Sequence, residues 1–298
     1  MAVYTLENDY LVVTVDAHGA EVISVISKIT GEEYMWNGDV QYWNRHSPIL
    51  FPFVGSNQGK KFRYEGKEYP MPQHGFARDM DFELIGREDE KLVFSLKSNE
   101  KTLEVYPFLF VLDITYVLKK DQLEVIWDVK NQDKKPMYFQ IGAHPGFLCR
   151  MDKKEDISDF IAFHGVDKLR VREIDMKTGL ASNKFRSLSF DAIVNGVGYL
   201  RLKKSLFDND ALVLEDRQCN IVQLCHPDKT AYITVDFDTP LFGVWAPSKR
   251  SVPFVCIEPW FGRCDGVDFH GNIEEKEYIN VLEMNGVFQR SYTIRFGS

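Results

Sequence analysis

The sequence predicts an all-β protein, and a large antiparallel β-sandwich is the architecture that its patterns favour. Short runs rich in β-branched and aromatic residues recur along the chain, with turn-forming residues between them. Residues 122–131 alternate apolar and charged side chains with a period of two, as expected for a sheet with one solvated face. Long amphipathic helical periodicity is missing from the sequence, which argues against an α/β fold.

The predicted strands are short and follow one another closely along the chain. Two β-branched runs, residues 10–15 and 20–26, open the chain, and residues 16–19 between them predict a hairpin connection. Residues 30–36 predict a short strand after a turn, and the C-terminal part closes with a predicted hairpin at Asn285 and Gly286. The further predicted strands are residues 81–85, 91–96, 108–118, 122–131, 220–224, 231–237, 241–245, 255–258, 278–288 and 290–296.

Residues 42–55 combine aromatic side chains with Arg45 and two prolines. Pro48 and Pro52 exclude a helix and restrict any strand to an edge or a bulge, so we expect an irregular but defined path. Aromatic faces stack on the C–H surfaces of sugars, and an arginine donates to several hydroxyls at once. We assign Arg45 to the candidate site, whereas Trp43 is better explained as part of a rigid loop that covers the core.

Residues 255–262 are the segment around which the candidate site is organised. Three apolar residues precede Glu258, as in a strand buried on both faces, and a buried acid is rarely present for packing alone. Desolvation raises the pKa of such a carboxyl toward neutrality, which is the property that a general base needs. The alternative is a strand-end glutamate that turns into solvent at Pro259.

Two other segments repeat one design. Residues 73–78 and 141–147 each place a histidine, His74 or His144, beside small turn-permitting residues and a phenylalanine. Glycine lets the backbone approach a ligand and proline fixes a turn, so both histidines are expected at the ends of elements. Two histidines and one acid suffice for proton transfer, and the alternative for each histidine alone is a structural residue at a turn.

Taken in order and at this spacing, HGFAR around His74, GAHPGF around His144 and VCIEPW around Glu258 resemble the aldose 1-epimerases, or mutarotases. The resemblance is strongest to the LacX-type branch and covers nearly the whole chain, including residues 45–55. It implies a galactose mutarotase-like β-sandwich. Because it places catalytic groups on both sides of a charged loop at residues 150–159, we expect one domain over residues 1–298 and no boundary at that loop.

The same resemblance implies the roles of the site residues. Glu258 is the base that takes the anomeric proton, and His144 is the acid at the ring oxygen; we expect the two to be held apart across the sugar. His74 donates a hydrogen bond to the same region and helps to hold the sugar. Arg45 and Arg78 bind peripheral hydroxyls or, in one branch of the family, a phosphate. No metal and no cofactor are expected.

Two more residues are candidates for sugar contacts. Mutarotases carry a carboxylate that hydrogen-bonds sugar hydroxyls, and Asp210 matches its place, although the local pattern fits Asp208 as well. An Asx turn before a strand is the alternative for either residue. Trp245 precedes Ala-Pro, as an aromatic at the edge of a cleft would, and a core role is the alternative.

We therefore expect an aldose 1-epimerase that acts on a free aldohexose. A hexose-6-phosphate 1-epimerase is one alternative, but His46 and Ser47 follow Arg45 where the phosphate-using branch usually has glycines. A non-catalytic carbohydrate-binding protein on the same fold is the other. It would need the aromatic residues and arginines but would have no use for an acid and a base of matched pKa.

Composition excludes other classes of function. The chain has 298 residues, a formal net charge of -8 and a pI near 5.5, which argue against a nucleic-acid partner. Its five cysteines are scattered without the spacing of a zinc site or a disulfide framework, and Cys256 is expected to be a small core residue. Neither a signal peptide nor a membrane span is recognisable, so a cytoplasmic protein with a small neutral sugar as its partner is expected.

Overall fold

Strands dominate the structure, a computed structural model that describes residues 2–151, 157–248 and 251–297. They account for 52% of the residues, well above the roughly 20–25% of an average soluble protein. Over the described ranges there is one α-helix, α1 at Glu100–Val105, together with 3₁₀ turns at Gln58–Lys60, Ala77–Asp79, Lys204–Phe207 and Ile273–Glu275. The predicted all-β class is confirmed. Of the charged loop predicted at residues 150–159, positions 152–156 lie outside the described residues.

The strands have the following bounds in chain order: β1 Val3–Glu7, β2 Leu11–Asp16, β3 Glu21–Ser27, β4 Ile49–Leu50, β5 Lys61–Tyr64, β6 Lys67–Pro70, β7 Glu83–Glu88, β8 Lys91–Lys97, β9 Phe110–Lys119, β10 Gln122–Asn131, β11 Met137–Phe139, β12 Ile141–Ala143, β13 Gly146–Leu148, β14 Phe160–His164, β15 Lys168–Asp175, β16 Leu180–Ser189, β17 Ala192–Val194, β18 Val197–Arg201, β19 Leu212–Leu214, β20 Ile221–Cys225, β21 Ala231–Phe237, β22 Leu241–Trp245, β23 Phe254–Phe261, β24 Asn280–Leu282 and β25 Val287–Phe296.

Two large antiparallel sheets enclose the main core. One has ten strands in the order β17-β18-β14-β20-β21-β25-β10-β9-β8-β7, and the other has eight, with β16-β15-β19-β22-β23-β12-β4 in line and β13 also paired to β23. Trp127 of β10 meets Phe261 of β23 with ring centroids 6.2 Å apart, so the two sheets face each other. Smaller sheets, β1-β2-β3, β5-β6 and β11-β24, complete this β-sandwich.

The alternation in the sequence sets the register of the long strands. In β10 every second residue from Leu123 to Asn131 is buried, and in β25 Tyr292, Ile294 and Phe296 are buried. Because successive side chains of a strand point to opposite faces, this pattern turns one face of each strand toward the core. The predicted hairpin between β2 and β3 is also present, and the two strands are antiparallel.

The strand predicted at residues 30–36 is wrong. This segment makes only isolated bridges, Ile26 with Glu33 and Met35 with Phe147. The Glu33 carboxylate accepts hydrogen bonds from the backbone N–H groups of Val25 and Met35, both at 2.8 Å. A side chain therefore takes the place of the strand ladder.

The predicted C-terminal hairpin is also wrong, although its turn is present. Asn285 adopts a left-handed conformation with a φ of 60°, but β24 pairs with β11 while β25 pairs with β10 and β21. Buried Asn131 donates from Nδ2 to the carbonyl oxygens of Leu282 and Glu283, at 2.9 and 3.1 Å. These bonds hold the segment before the turn away from β25.

The eight-stranded sheet is covered on both faces. All eight residues of β23 are buried. One face joins the main core, and the opposite face carries a second, small apolar cluster that consists of Leu50, Val54, Val213, Leu241 and Trp260. As predicted for a segment that contains Pro48 and Pro52, β4 is a two-residue strand at the sheet edge.

None of the described helices is long and apolar enough to cross a membrane.

Candidate active site

A cavity of about 330 Å³ lies on the face of the eight-stranded sheet that carries the small apolar cluster. This volume is at the small end of the range for ligand pockets. Six of the residues predicted from the sequence line it: His74, Arg78, His144, Asp210, Trp245 and Glu258. Residues far apart in the chain therefore converge on one site.

Glu258 lies in the middle of β23 and is only 1% exposed, so the alternative in which it turns into solvent at Pro259 is wrong. The strand continues through Pro259 because the neighbouring chain leaves the β23 ladder at this point. Pairing with β12 ends at Gly142, and pairing with β13 begins at Gly146. A proline that lacks an N–H is tolerated where no partner strand requires that donor. Both pairings keep the same register, which places His144 opposite Glu258.

The two side chains meet in the cavity, so the expectation that the acid and the base are held apart across the sugar is wrong. Nε2 of His144 lies 3.1 Å from Oε2 of Glu258. Within the described chain, both carboxylate oxygens of Glu258 and Nδ1 of His144 have no hydrogen-bond partner. Burying polar atoms without partners is costly in a folded protein, so such atoms indicate a place where a ligand supplies the missing bonds.

Burial moves both groups toward their neutral forms. It raises the pKa of Glu258 well above its usual value, the charge of Asp210 raises it further, and the Trp260 indole opposes this. Burial lowers the pKa of His144 to about 3, and the charges of Arg78 and Arg45 act in the same direction. The shift of Glu258 has the direction predicted from the sequence, and the two shifts together favour the form with a protonated carboxyl and a neutral imidazole.

His74 is oriented by the backbone. Its Nδ1 accepts a hydrogen bond from the N–H of Gly55 at 3.1 Å, so the proton of the neutral ring is on Nε2. Burial lowers the pKa of His74 well below its usual value, and the charge of His144 adds to this effect. Gly75 is required next to it, because a Cβ there would lie 2.2 Å from the carbonyl oxygen of Phe51. His74 therefore offers an N–H donor to the pocket.

Two tryptophans pack around His144. The Trp43 ring lies 4.8 Å from the His144 ring and the Trp245 ring lies 5.5 Å from it, measured between centroids. Trp245 lines the cavity and is half-buried, as expected for an aromatic residue at a cleft edge. Trp43 also lines the cavity, so the interpretation that gave it only a covering role is wrong. The hydrogen bond from Trp36 Nε1 to the Trp43 carbonyl, 2.8 Å long, holds this loop in place.

Trp260 was not identified from the sequence, although it follows Glu258 by two residues and so shares its face of β23. A Cβ at Gly243 would lie 2.4 Å from the indole, and a Cβ at Gly142 would lie 2.6 Å from it. The ring thus occupies the space of two missing side chains on the neighbouring strands and forms part of the pocket wall. Its Nε1 is buried with no hydrogen-bond partner among the residues described.

Of the two arginines predicted for the site, Arg78 lines the cavity and Arg45 does not. Arg78 donates from Nη2 to the Gln73 carbonyl at 2.8 Å, while its buried Nε finds no hydrogen-bond partner within the described ranges. Burial lowers the pKa of Arg78, and the charge of Arg45 adds to the shift. Arg45 does not line the cavity: its Nη2 lies 2.5 Å from Oδ1 of Asp79, which holds it beside the rim.

The choice between the two aspartates is resolved by their positions. Asp210 lines the cavity, whereas Asp208 is exposed and does not. Asp210 has a φ of 72° and its N–H donates to the Phe207 carbonyl at 3.1 Å, so a tight turn presents it to the pocket. Arg263 also lines the cavity and was not predicted, because the sequence gives no sign that the chain buries an arginine after Gly262.

The family model for aldose 1-epimerase matches residues 2–265 of the chain. The chain belongs to the aldose 1-epimerase family. Protein LacX (chromosomal) of Lactococcus lactis subsp. lactis is 30% identical over 297 residues, which cover 97% of each chain. Among aldose 1-epimerase-like structures, a galactose mutarotase related enzyme from Lactobacillus acidophilus is 35% identical with a TM-score of 0.90, covering 100% of this chain and 98% of that one. A galactose mutarotase-like protein from Lactobacillus casei is 29% identical with a TM-score of 0.90, covering 99% of both chains.

Proposed function

We propose that the protein is an aldose 1-epimerase that interconverts the α and β anomers of a free aldohexose. The observation that carries the proposal is the contact between His144 and Glu258 at 3.1 Å in a buried cavity, with hydrogen-bonding atoms left unused. Ring opening exchanges protons at the anomeric hydroxyl and at the ring oxygen. Both oxygens are bonded to C1, so an acid and a base that serve them must lie close together.

One shared proton is sufficient for this chemistry. When it moves from Glu258 to His144, the pair becomes a carboxylate base and an imidazolium acid. The carboxylate then takes the proton of the anomeric hydroxyl while His144 protonates the ring oxygen, and the ring opens to the aldehyde. After rotation about the C1–C2 bond, the reverse transfers close the ring on the other face. Each cycle returns the proton, so the pair is regenerated.

The other pocket residues supply binding and orientation. His74 donates from Nε2 to the ring-oxygen region, and Asp210 accepts from sugar hydroxyls. The rings of Trp245 and Trp260 offer apolar faces to the C–H surface of the sugar.

Two further parts of the proposal, the number of domains and the cellular compartment, concern the whole chain. The pocket draws on residues from Trp43 to Cys264, on both sides of the loop at residues 150–159, which supports one domain over residues 1–298. All five cysteines are buried free thiols, in keeping with a reducing compartment, and we propose the cytoplasm.

Polarimetry on freshly dissolved glucose and galactose tests the proposal. We expect the protein to speed the approach to equilibrium rotation well beyond the spontaneous rate. Sugar binding without any acceleration would replace the enzyme by the carbohydrate-binding alternative. No binding of either sugar and no acceleration would remove both.

A hexose 6-phosphate is the second candidate substrate, and Arg78 is the observation that favours it. Its buried Nε makes no hydrogen bond within the described residues, although Oδ2 of Asp79 lies 3.8 Å away, and a guanidinium binds phosphate well. Against it, Arg45 is already paired with Asp79. If phosphate is bound by Arg78, Arg78→Ala should cost about 2 kcal/mol in kcat/KM for glucose 6-phosphate and spare glucose. A strong preference for the phosphate that this change abolishes would reverse our choice of the free sugar.

A further inference from the structure

Cys256 adds a third potential ligand to the His144–Glu258 pair. Cys256 and Glu258 are two residues apart on β23, so their side chains project from the same face of the strand, and His144 lies opposite. One ligand atom from each of the three residues lies within 4.8 Å of the others, and all three residues are buried. A thiol, an imidazole and a carboxylate form a donor set that zinc accepts.

We propose that His144, Cys256 and Glu258 form a binding site for a thiophilic divalent cation, zinc or cadmium, and that an ion bound there inhibits the enzyme. The proposed reaction uses only His144 and Glu258, so neither Cys256 nor the ion takes part in it. Its soft sulfur ligand favours zinc and cadmium over magnesium and calcium, which prefer oxygen ligands.

The geometry requires only small side-chain movements. Bonds of about 2.0–2.3 Å to a tetrahedral zinc ion place neighbouring ligand atoms roughly 3.3–3.6 Å apart. His144 Nε2 and Glu258 Oε2 are already 3.1 Å apart, so the thiol has the largest adjustment to make, of roughly 1 Å. Three protein ligands leave one position of a tetrahedral ion open.

The cavity determines how an ion reaches the site and which reacting atoms the bound ion blocks. His144 and Glu258 line it, whereas Cys256 does not and is fully buried, so an ion enters along the path of the sugar. A bound ion occupies the carboxylate that would take the anomeric proton and the imidazole nitrogen that would deliver one. Sugar and ion therefore compete, and added sugar should relieve the inhibition.

Cadmium titration of the wild-type protein tests binding without any substrate. We expect a thiolate-to-cadmium absorption band that saturates at one ion per chain. Cys256→Ser should lose this band and weaken zinc inhibition in the polarimetric assay by about 100-fold or more, since even residues behind metal ligands contribute 10–100-fold. If that variant does not fold, Cys256→Ala, which is smaller, provides the same comparison.

Cys264→Ser is the matched control, because Cys264 is also buried and lines the cavity but is outside the three-residue cluster. It should keep the band. Absence of the band in the wild type, or an equal band in Cys256→Ser, would overturn the site. Because the band is read without sugar, its outcome stands whether or not the chain epimerises glucose. Zinc inhibition that magnesium reproduces, or that sugar does not relieve, would overturn the inhibitory role.

Discussion

Two buried carboxylates on the eight-stranded sheet are satisfied in opposite ways. Glu215, 2% exposed, accepts from Arg172 at 3.0 and 2.8 Å and from Nε of Arg263 at 2.7 Å. Glu258, 1% exposed, has Oε2 at 3.1 Å from Nε2 of His144 and no hydrogen bond to either oxygen among the residues described. The protein supplies two arginines as hydrogen-bond donors to the first carboxylate, whereas the second has no such donor among the residues described.

The presence or absence of charged partners distinguishes a buried carboxylate that stabilises the fold from one that is available for proton transfer. A buried charge with well-placed partners holds elements together, and its loss leaves those partners uncompensated. Arg263 illustrates this: burial lowers its pKa, but the charges of Glu215, Cys264 and Glu277 raise it more, so its pKa ends above the usual value. A buried acid without partners instead has a perturbed pKa and an open hydrogen-bonding capacity, which are the properties of a reactive group.

Glu258→Gln should produce the largest effect. An amide cannot accept the anomeric proton, so turnover should fall by about 10²–10⁴-fold, the usual cost of losing one general acid or base. The free energy of unfolding at pH 7 should not fall, because the variant removes an acid that burial disfavours in its charged form. Polarimetry and urea unfolding measure the two quantities. His144→Asn should lose a similar factor in rate. Near-wild-type turnover in a folded Glu258→Gln protein would mean that another group is the base.

Glu215→Gln should give the reverse result. Two arginines lose their shared charge partner, and we expect a loss of about 3 kcal/mol in stability, at the low end for a broken buried pair because the amide oxygen still accepts. Turnover per folded molecule should change by much less than in Glu258→Gln. Urea unfolding combined with active-site concentration gives both numbers. A stable Glu215→Gln protein with a large loss of kcat would place Glu215 in the chemistry and remove the contrast between the two carboxylates.

Gly243→Ala should have an intermediate effect on the pocket side of the sheet. The added Cβ would lie 2.4 Å from the Trp260 ring, so the indole must shift. Overpacking of this kind costs about 1–3 kcal/mol, and displacement of the ring should raise KM more than it lowers kcat. Gly86→Ala, with its nearest contact at 3.2 Å on β7, is the control outside the pocket. An unchanged KM in Gly243→Ala would show that Trp260 does not contact the sugar.

Much of the fold was predictable because its signals are local. Alternation in β10 and β25 decides which face is buried, and the prolines around β4 exclude regular structure. The errors occurred where a side chain, and not a partner strand, made the hydrogen bonds to the backbone. The Glu33 carboxylate takes the place of a ladder at residues 30–36, and Asn131 draws the segment before the last turn into another sheet.

The site was predictable to the extent that its residues stand in recognisable motifs. His74, His144 and Glu258 lie in short segments whose glycines and prolines have direct structural reasons. Trp260 and Arg263 were missed because their positions depend on register across strands and on buried partners that a linear sequence does not display. The prediction for Arg45 failed because the ion pair with Asp79, which holds the arginine beside the cavity rim, leaves no pattern in the sequence.

The pH dependence of kcat/KM should show the smallest change and sharpens the comparison most. The working pair holds one proton. Adding a second proton removes the base and requires the pH to fall toward the His144 pKa of about 3. Removing the proton eliminates the acid and requires the pH to exceed the raised pKa of Glu258. Between these limits the rate should be flat, without the inflection that a histidine of ordinary pKa, near 6.5, would give. The control is Glu215→Gln, which should keep the same flat profile because Glu215 itself does not line the cavity. An inflection near pH 6.5 in the wild type would mean that one member of the pair gains or loses its proton there, and that the proton-sharing pair is not the form that reacts across this range.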